Sequence, residues 1–151
     1  MTDEAQPITP RLLDSLYTEA MLIADEARGY FEDEGAADRG TLDPFDRVGL
    51  SCESLKVTTR IMHVVAWLLT QRAIRAGELE ASAANRPGRR LGKASESDFA
   101  LLERLPPAAR RLIDASRDLY GRVKRLDEDG MRVAAAPSPA RALLSRLERA
   151  F

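Results

Sequence analysis

The fold class of this chain is determined by residues 43–77, which read DPFDRVGLSCESLKVTTRIMHVVAWLLTQRAIRAG. Asp43 followed by Pro44 is typical of a helix start, with a side-chain N-cap and a proline at the first helical position. Apart from Gly49, no glycine or proline follows before Gly77. The stretch therefore predicts a single helix roughly 50 Å long, at about 1.5 Å per residue.

Apolar and small residues recur along this predicted helix at alternating steps of four and three, the spacing of a bundle or coiled-coil seam. The members of this first stripe are Val48, Cys52, Leu55, Thr59, Met62, Ala66, Leu69, Ala73 and Ala76. A second stripe projects more than roughly 90° away, taking about 100° per residue. Its members are Leu50, Val57, Ile61, Val64 and Leu68. A helix with two apolar sides must be covered on both, so we predict that it is the central helix.

Trp67, together with Ile74, adds a further apolar spot to this helix. One interpretation is that Trp67 fills the core of the bundle. The other is that it anchors a subunit or partner interface, where tryptophan is enriched. Because a chain with three main helices covers only two sides of the central one, we predict a homodimer. The residues predicted for the dimer or partner interface are Trp67, Ile61, Val64, Leu68 and Ile74.

Two further helices are predicted, one on each side of the central helix. The first begins at Thr9-Pro10 and runs to about Glu34, and the third begins at Pro106-Pro107 and runs to about Asp129. Gly130 is expected to end the third helix. Its inward stripe is predicted to consist of Leu105, Ala109, Leu112, Ser116, Leu119, Val123 and Leu126. The predicted fold class is therefore all-α, a three-helix bundle with a long central helix.

The domain organisation follows from breaks in this periodicity. Residues 1–8 are expected to be a disordered lead, residues 9–130 the bundle domain, and residues 131–151 a linker and a short C-terminal amphipathic tail. Within the domain, residues 78–97 lose the periodicity and are predicted to form a mobile loop. The tail residues predicted to contact a partner are Leu143, Leu144, Leu147 and Phe151. An intramolecular fourth helix is the alternative for this tail.

The sequence contains few residues that could form a catalytic centre. His63 is the only histidine and Cys52 the only cysteine, so one chain holds neither a histidine-rich metal site nor an internal disulfide. The sequence has no glycine-rich phosphate loop ending in Gly-Lys-Ser/Thr and no EF-hand spacing of carboxylates. We therefore predict no catalytic residue, no metal site and no cofactor, and a protein that is not an enzyme.

Charge and hydropathy restrict the location and the partners. The 23 Lys and Arg residues nearly balance the 24 Asp and Glu residues, which argues against a general attraction to nucleic acid or to an anionic membrane. The chain begins with a polar, acidic segment, and its longest apolar run, residues 64–69, is too short to span a bilayer. We expect a cytoplasmic protein.

Two functions other than protein binding through the apolar surfaces stay open at this point. A basic cluster within the loop, Arg86, Arg89, Arg90 and Lys93, leaves room for a nucleic-acid-binding helical regulator. Because no aromatic residues interleave with these cations, a solvated loop is the favoured interpretation. The chain is also compatible with a purely structural homodimerisation module.

Two stretches of the chain resemble a known family. Residues 53–78, ESLKVTTRIMHVVAWLLTQRAIRAGE, and residues 105–127, LPPAARRLIDASRDLYGRVKRLD, are similar to the second and third helices of the RcdA (regulator of CtrA degradation) family. The order of helices is also similar over most of residues 11–127. The loop at residues 79–98 and the tail after Gly130 carry little of this resemblance.

The resemblance implies a dimeric three-helix bundle that acts as an adaptor of the ClpXP protease in the cell cycle of alphaproteobacteria. It further implies a response-regulator-like priming protein and substrate transcription factors as partners, and a possible location at a cell pole. Such an adaptor tethers a substrate to the unfoldase and so raises the local substrate concentration without bond chemistry of its own. The family carries no catalytic residues that could be assigned to positions of this sequence.

Overall fold

Six α-helices and no β-strand are found in the part of the chain that the computed structural model describes, residues 8–135 and 139–150. Side chains are described for residues 8–130, 140, 143, 144 and 146–150. The helices are α1 (Pro10–Gly29), α2 (Ala36–Thr41), α3 (Pro44–Arg75), α4 (Phe99–Leu102), α5 (Pro107–Ala135) and α6 (Pro139–Ala150). The predicted all-α fold with a long central helix is confirmed.

Two helix starts have the caps that the sequence predicts. The Thr9 hydroxyl accepts a hydrogen bond from the Leu12 amide at 3.1 Å, and the Asp43 carboxylate accepts one from the Asp46 amide at 2.8 Å. Each cap satisfies one of the amide groups that the first helical turn leaves without an intrahelical partner. The proline that follows each cap lies in the first turn, where it removes no intrahelical bond.

Helices α1, α3 and α5 pack against one another and form the bundle. Its core takes five residues of α1, Leu13, Leu16, Ala20, Ile23 and Ala27, and continues into Tyr30 of the π-helical turn after α1. The predicted stripe of the third helix is confirmed, because all of its residues from Leu105 to Leu126 are buried. The apolar face that the sequence of α5 predicts is therefore the face that α5 packs into the core.

The stripe of α3 that has the spacing of a bundle seam is not the stripe that the bundle buries. The second stripe, from Leu50 to Leu68, lies in the core between α1 and α5. The first stripe, which has the regular seam spacing, is exposed at Val48, Leu55, Met62 and Leu69. Periodicity identifies an apolar face but does not say which chain covers it, and the single chain covers only the second stripe.

Several predicted boundaries need correction. The first helix is followed by a π-helical turn, Tyr30–Glu34, and by the short helix α2, so α1 itself ends at Gly29 rather than near Glu34. Helix α5 continues through Gly130 to Ala135, because one glycine in a helix interior costs only about 1 kcal/mol and does not have to end the helix. The predicted disordered lead, residues 1–8, lies outside the described residues except for Ile8, which packs against the core.

We expect two neighbouring leucines of α3 to respond differently to truncation. Leu68→Ala should lower the free energy of unfolding by about 2–5 kcal/mol, because Leu68 is fully buried. Leu69→Ala should change it by less than about 0.5 kcal/mol in dilute protein, because Leu69 is half exposed. Urea denaturation of both variants at the same low concentration measures the difference, and equal effects would contradict the assignment of the two stripes.

Candidate functional site

The exposed side of α3 carries a continuous apolar surface, called here the α3 stripe: Val48, Cys52, Leu55, Thr59, Met62, Ala66 and Leu69. Its four large members have exposed fractions of 64% for Val48, 67% for Leu55, 65% for Met62 and 49% for Leu69. They repeat every seven residues, so they lie in one row along the helix. Isolated apolar residues on a surface are ordinary, but a row of this length marks an interaction surface.

Charge is absent from this side of α3. Every residue between positions 48 and 70 that is exposed has a neutral side chain: Val48, Ser51, Cys52, Leu55, Thr58, Met62, Ala66 and Leu69. The charged residues of the same stretch, Glu53, Lys56 and Arg60, lie on the other sides of the helix and are buried or half-buried. Depletion of charge at the centre of a surface is characteristic of protein interfaces.

A groove of about 380 Å³ runs beside the α3 stripe, between α1 and α3. Ala24, Phe31 and Ile61 supply apolar walls, and Met62 forms the edge that the groove shares with the stripe. Arg28 and Glu32 also line the groove, so it is a partly apolar recess beside the stripe.

The residues predicted for the interface lie elsewhere. Trp67, Ile61, Val64 and Leu68 are buried in the core of the single chain, and Ile74 is half-buried near the end of α3. The indole Nε1 of Trp67 donates a hydrogen bond to Asp127 Oδ1 of α5 at 3.0 Å. These side chains are packed against their own chain, because α1 and α5 cover the side of α3 from which they project.

A third side of α3 carries a row of polar groups that the sequence analysis missed. Asp46, Glu53, Arg60 and Trp67 also repeat every seven residues and are all buried, and we call them the polar row. Each binds a group on the segment from Arg90 to Arg104 or on the adjacent face of α5. The seven-residue recurrence of three charged residues and a tryptophan was the signal in the sequence that indicated this row.

The polar row holds the segment 90–104 antiparallel to α3. Asp46 binds Arg104 at 3.3 Å near the start of α3, and Arg60 binds the carbonyl of Ser95 at 3.1 Å in the middle. Near the end of α3, Trp67 binds Asp127, whose second carboxylate oxygen binds Arg90. The predicted mobile loop is therefore tied to the bundle at several points over its second half.

Close packing reinforces these bonds at Gly92. A Cβ atom added at Gly92 would lie 2.3 Å from His63 Nδ1, so only glycine lets the segment approach α3 at this point. On the other side, the Tyr120 hydroxyl of α5 donates a hydrogen bond to the Gly92 carbonyl at 2.7 Å. His63, the single histidine of the chain, thus has a packing contact with the segment.

Glu53 is the most deeply buried charge of the polar row. Its Oε1 accepts hydrogen bonds from Lys56 Nζ and from the Asp98 amide, each at 2.9 Å, whereas Oε2 has no hydrogen-bond partner among the described residues. Burial acts to raise the pKa of Glu53, but the neighbouring Ser97, the Asp98 amide and the Lys56 ammonium together lower it below its usual value. The folded protein therefore favours the ionised carboxylate.

The basic loop cluster is only partly available to a nucleic acid. Arg90 forms an ion pair with Asp127 at 2.9 Å, whereas Arg86, Arg89 and Lys93 are exposed. Three cations on one loop are a small electrostatic footprint compared with the basic face of a typical nucleic-acid-binding domain.

Neither a metal site nor a membrane-spanning helix is found among the described residues. No group of three or more His, Cys, Asp or Glu side chains there has the arrangement of a metal site. No helix there is both long enough and apolar enough to cross a membrane. Cys52 is exposed on the α3 stripe rather than buried.

The tail helix α6 exposes its leucines. Leu143, Leu144 and Leu147 are 62%, 58% and 48% exposed, respectively. Phe151, the fourth residue predicted for partner contact, lies outside the described residues. Exposure of three leucines on one short helix does not fit a fourth helix that completes the core, and partner contact by these residues stays a prediction.

These features define an all-α bundle whose central helix leaves one long, charge-free apolar side uncovered. The chain belongs to the family described as "Protein of unknown function (DUF1465)", whose model matches residues 4–151. The crystal structure of RcdA from Caulobacter crescentus CB15 is similar to it, with 33% sequence identity and a TM-score of 0.62. The similarity covers 84% of this chain and 94% of that chain, which confirms the predicted resemblance to RcdA. No curated protein matches the sequence.

We expect Glu53→Gln to lower the free energy of unfolding at neutral pH by about 1–3 kcal/mol, because two charge-assisted hydrogen bonds are weakened. The lowered pKa of Glu53 means that its contribution is present above the unfolded-state pKa and is lost as the pH falls through the folded-state pKa. The variant should therefore lose less stability on acidification than the parent protein.

Denaturation curves recorded from neutral to acidic pH measure this slope, and Glu103→Gln, which alters an exposed carboxylate, is the control. The same acid slope in the parent protein and the Glu53→Gln variant would show that the Glu53 carboxylate is not held in its ionised form.

Proposed function

We propose that this protein is a non-enzymatic, homodimeric adaptor that tethers substrates to a ClpXP-type protease in bacterial cell-cycle control. The similarity to RcdA over most of both chains supports an adaptor in regulated proteolysis. The exposed α3 stripe is the observation that carries the proposal, because a tethering protein needs partner surfaces on a stable scaffold. The expected location is the cytoplasm, with a cell pole as the site implied by the resemblance.

The occupant proposed for the α3 stripe is a second copy of this chain. From Val48 to Leu69 the stripe is roughly 30 Å long, and its seven-residue repeat is the pattern by which two helices pack along a shared seam. In a two-fold symmetric dimer the same surface of each subunit meets itself. A neutral apolar row is compatible with itself in this arrangement, whereas a charged row would repel its own copy.

This assignment revises the interface expected from the sequence. Homodimerisation remains the proposal, but the interface is no longer assigned to the buried residues around Trp67. It is assigned to the exposed residues Val48, Leu55, Met62 and Leu69. The tail leucines Leu143, Leu144 and Leu147 are proposed to contact the protease, its priming protein or a substrate. The two surfaces then have separate roles, one in assembly and the other in recruitment.

The double substitution Leu55→Asp, Met62→Asp should convert the dimer to a monomer. Carboxylates without partners at the centre of an apolar interface weaken association by about 3–5 kcal/mol, which is roughly a hundredfold to several thousandfold in the dissociation constant. Sedimentation velocity measures the oligomeric state, and far-UV circular dichroism should show unchanged helix content because both side chains are exposed in the single chain.

Leu22→Asp is the matched control, since Leu22 is an exposed leucine of α1 with an exposed fraction of 60%. It should leave the dimer intact. A monomeric parent protein, or a double variant that remains dimeric, would overturn the assignment of the α3 stripe to a second copy.

Removal of residues 136–151 should leave the bundle folded and abolish partner capture, because it deletes α6 with its exposed leucines. An affinity pull-down from native lysate, followed by detection of the AAA+ unfoldase and its regulators, compares the truncated and full chains. Equal capture by both would remove the tail from the proposal. A full-length dimer that captures neither the unfoldase nor its regulators would favour a purely structural dimerisation module.

A further inference from the structure

A basic cleft of about 370 Å³ lies between the segment 94–96 and α5. Four cationic side chains contribute to its lining, together with the carboxylates of Glu96 and Glu128. The cations are Arg60, Arg117, Lys124 and Arg125. Four positive and two negative groups leave a formal charge of about +2 in a recess, where low-dielectric walls strengthen the field.

The wall of the cleft includes a cation that is almost completely buried. Arg60 has an exposed fraction of 3%, and its guanidinium donates hydrogen bonds only to neutral oxygens among the described groups. These acceptors are Ser116 Oγ at 3.2 Å, the Ser95 carbonyl at 3.1 Å and Ser97 Oγ at 2.9 Å. The ion pairs found among the described side chains do not include Arg60.

A buried arginine without a contacting carboxylate is costly, since its charge loses hydration and the nearby carboxylates act on it only at a distance. Burial accordingly lowers the pKa of Arg60, and the carboxylates of Glu53 and Glu96 counteract this effect only through space. The residue is nevertheless held in place by three hydrogen bonds. An anion bound in the cleft would add negative charge on the open side of this guanidinium.

The cations at the rim of the cleft are held less tightly by their own chain than Arg60 in its wall. Arg117 is 3.9 Å from a carboxylate oxygen of Glu96 and 3.6 Å from one of Asp114, which are long ion pairs, and Lys124 and Arg125 are exposed on α5. The Tyr120 hydroxyl donates its hydrogen bond to the Gly92 carbonyl, so the donors available to an anion are the cationic side chains. Guanidinium and ammonium groups that approach from several directions suit an anion with several equivalent oxygens.

We infer that this cleft is a binding site for a small dianion of the phosphate class. The formal charge of the lining matches two negative charges, and the volume is that of a site for a small molecule. The small volume of the cleft disfavours an extended acidic peptide, and its charged lining disfavours an apolar ligand. This site is separate from the α3 stripe and from α6, so the inference does not depend on the proposed adaptor function.

The test is a titration of the full-length protein with inorganic phosphate, followed by NMR of the backbone amides at constant ionic strength. Phosphate should produce saturable shifts at residues 94–96 and at Tyr120 and Gly121, which surround the cleft. The double variant Lys124→Gln, Arg125→Gln should bind about tenfold more weakly, the effect of losing at least one charge-assisted hydrogen bond. Both residues are exposed, so the variant should keep its fold.

Arg110→Gln is the matched control, because Arg110 is an exposed arginine of α5 that does not line the cleft. It should leave the affinity unchanged. Shifts that rise linearly without saturation, shifts that sodium chloride reproduces, or equal affinity in the double variant and the parent protein would each overturn the inference. Saturable binding that is weakened equally by Arg110→Gln and by the Lys124→Gln, Arg125→Gln double variant would indicate general charge attraction. That result would also overturn the inference.

Discussion

The burial of charge on one side of α3 is the constraint on which the rest of the structure depends. Arg60 and Glu53 are both removed from water, and a charge in that position must be surrounded by fixed polar atoms. The helices alone do not supply enough of them. The segment 95–98 supplies a carbonyl, a hydroxyl and an amide, so it has to lie along α3 and cannot extend into solvent.

This constraint determines which side of α3 remains exposed and available for association. Helices α1 and α5 cover the apolar side from Leu50 to Leu68, and the segment 90–104 covers the polar row. Only the side with Val48, Leu55, Met62 and Leu69 stays open, and that side is neutral along its length. The same segment, by lying against α5, also forms one wall of the basic cleft. The segment 90–104 therefore forms one wall of the cleft and, together with α1 and α5, leaves the α3 stripe as the open side.

Much of the fold was predictable because its signals are local. The caps at Thr9 and Asp43 are interactions between residues three positions apart, and the buried stripe of α5 is a property of one helix. The candidate interface was not predictable in the same way. The sequence left Trp67 as either a core residue or an interface anchor, and only the carboxylate of Asp127 on α5, which binds its indole within the chain, places it in the core.

Taken alone, the sequence determined that the chain forms an all-α bundle around one long helix, and that this helix is apolar on more than one side. Both properties depend on the spacing of apolar residues within one helix, and this spacing is visible in the sequence itself. Only the tertiary structure decided which apolar side of α3 is core and which is free. Two stripes of similar composition and period are equivalent until α1, α5 and the segment 90–104 occupy particular sides, and those placements depend on contacts between residues distant in the chain.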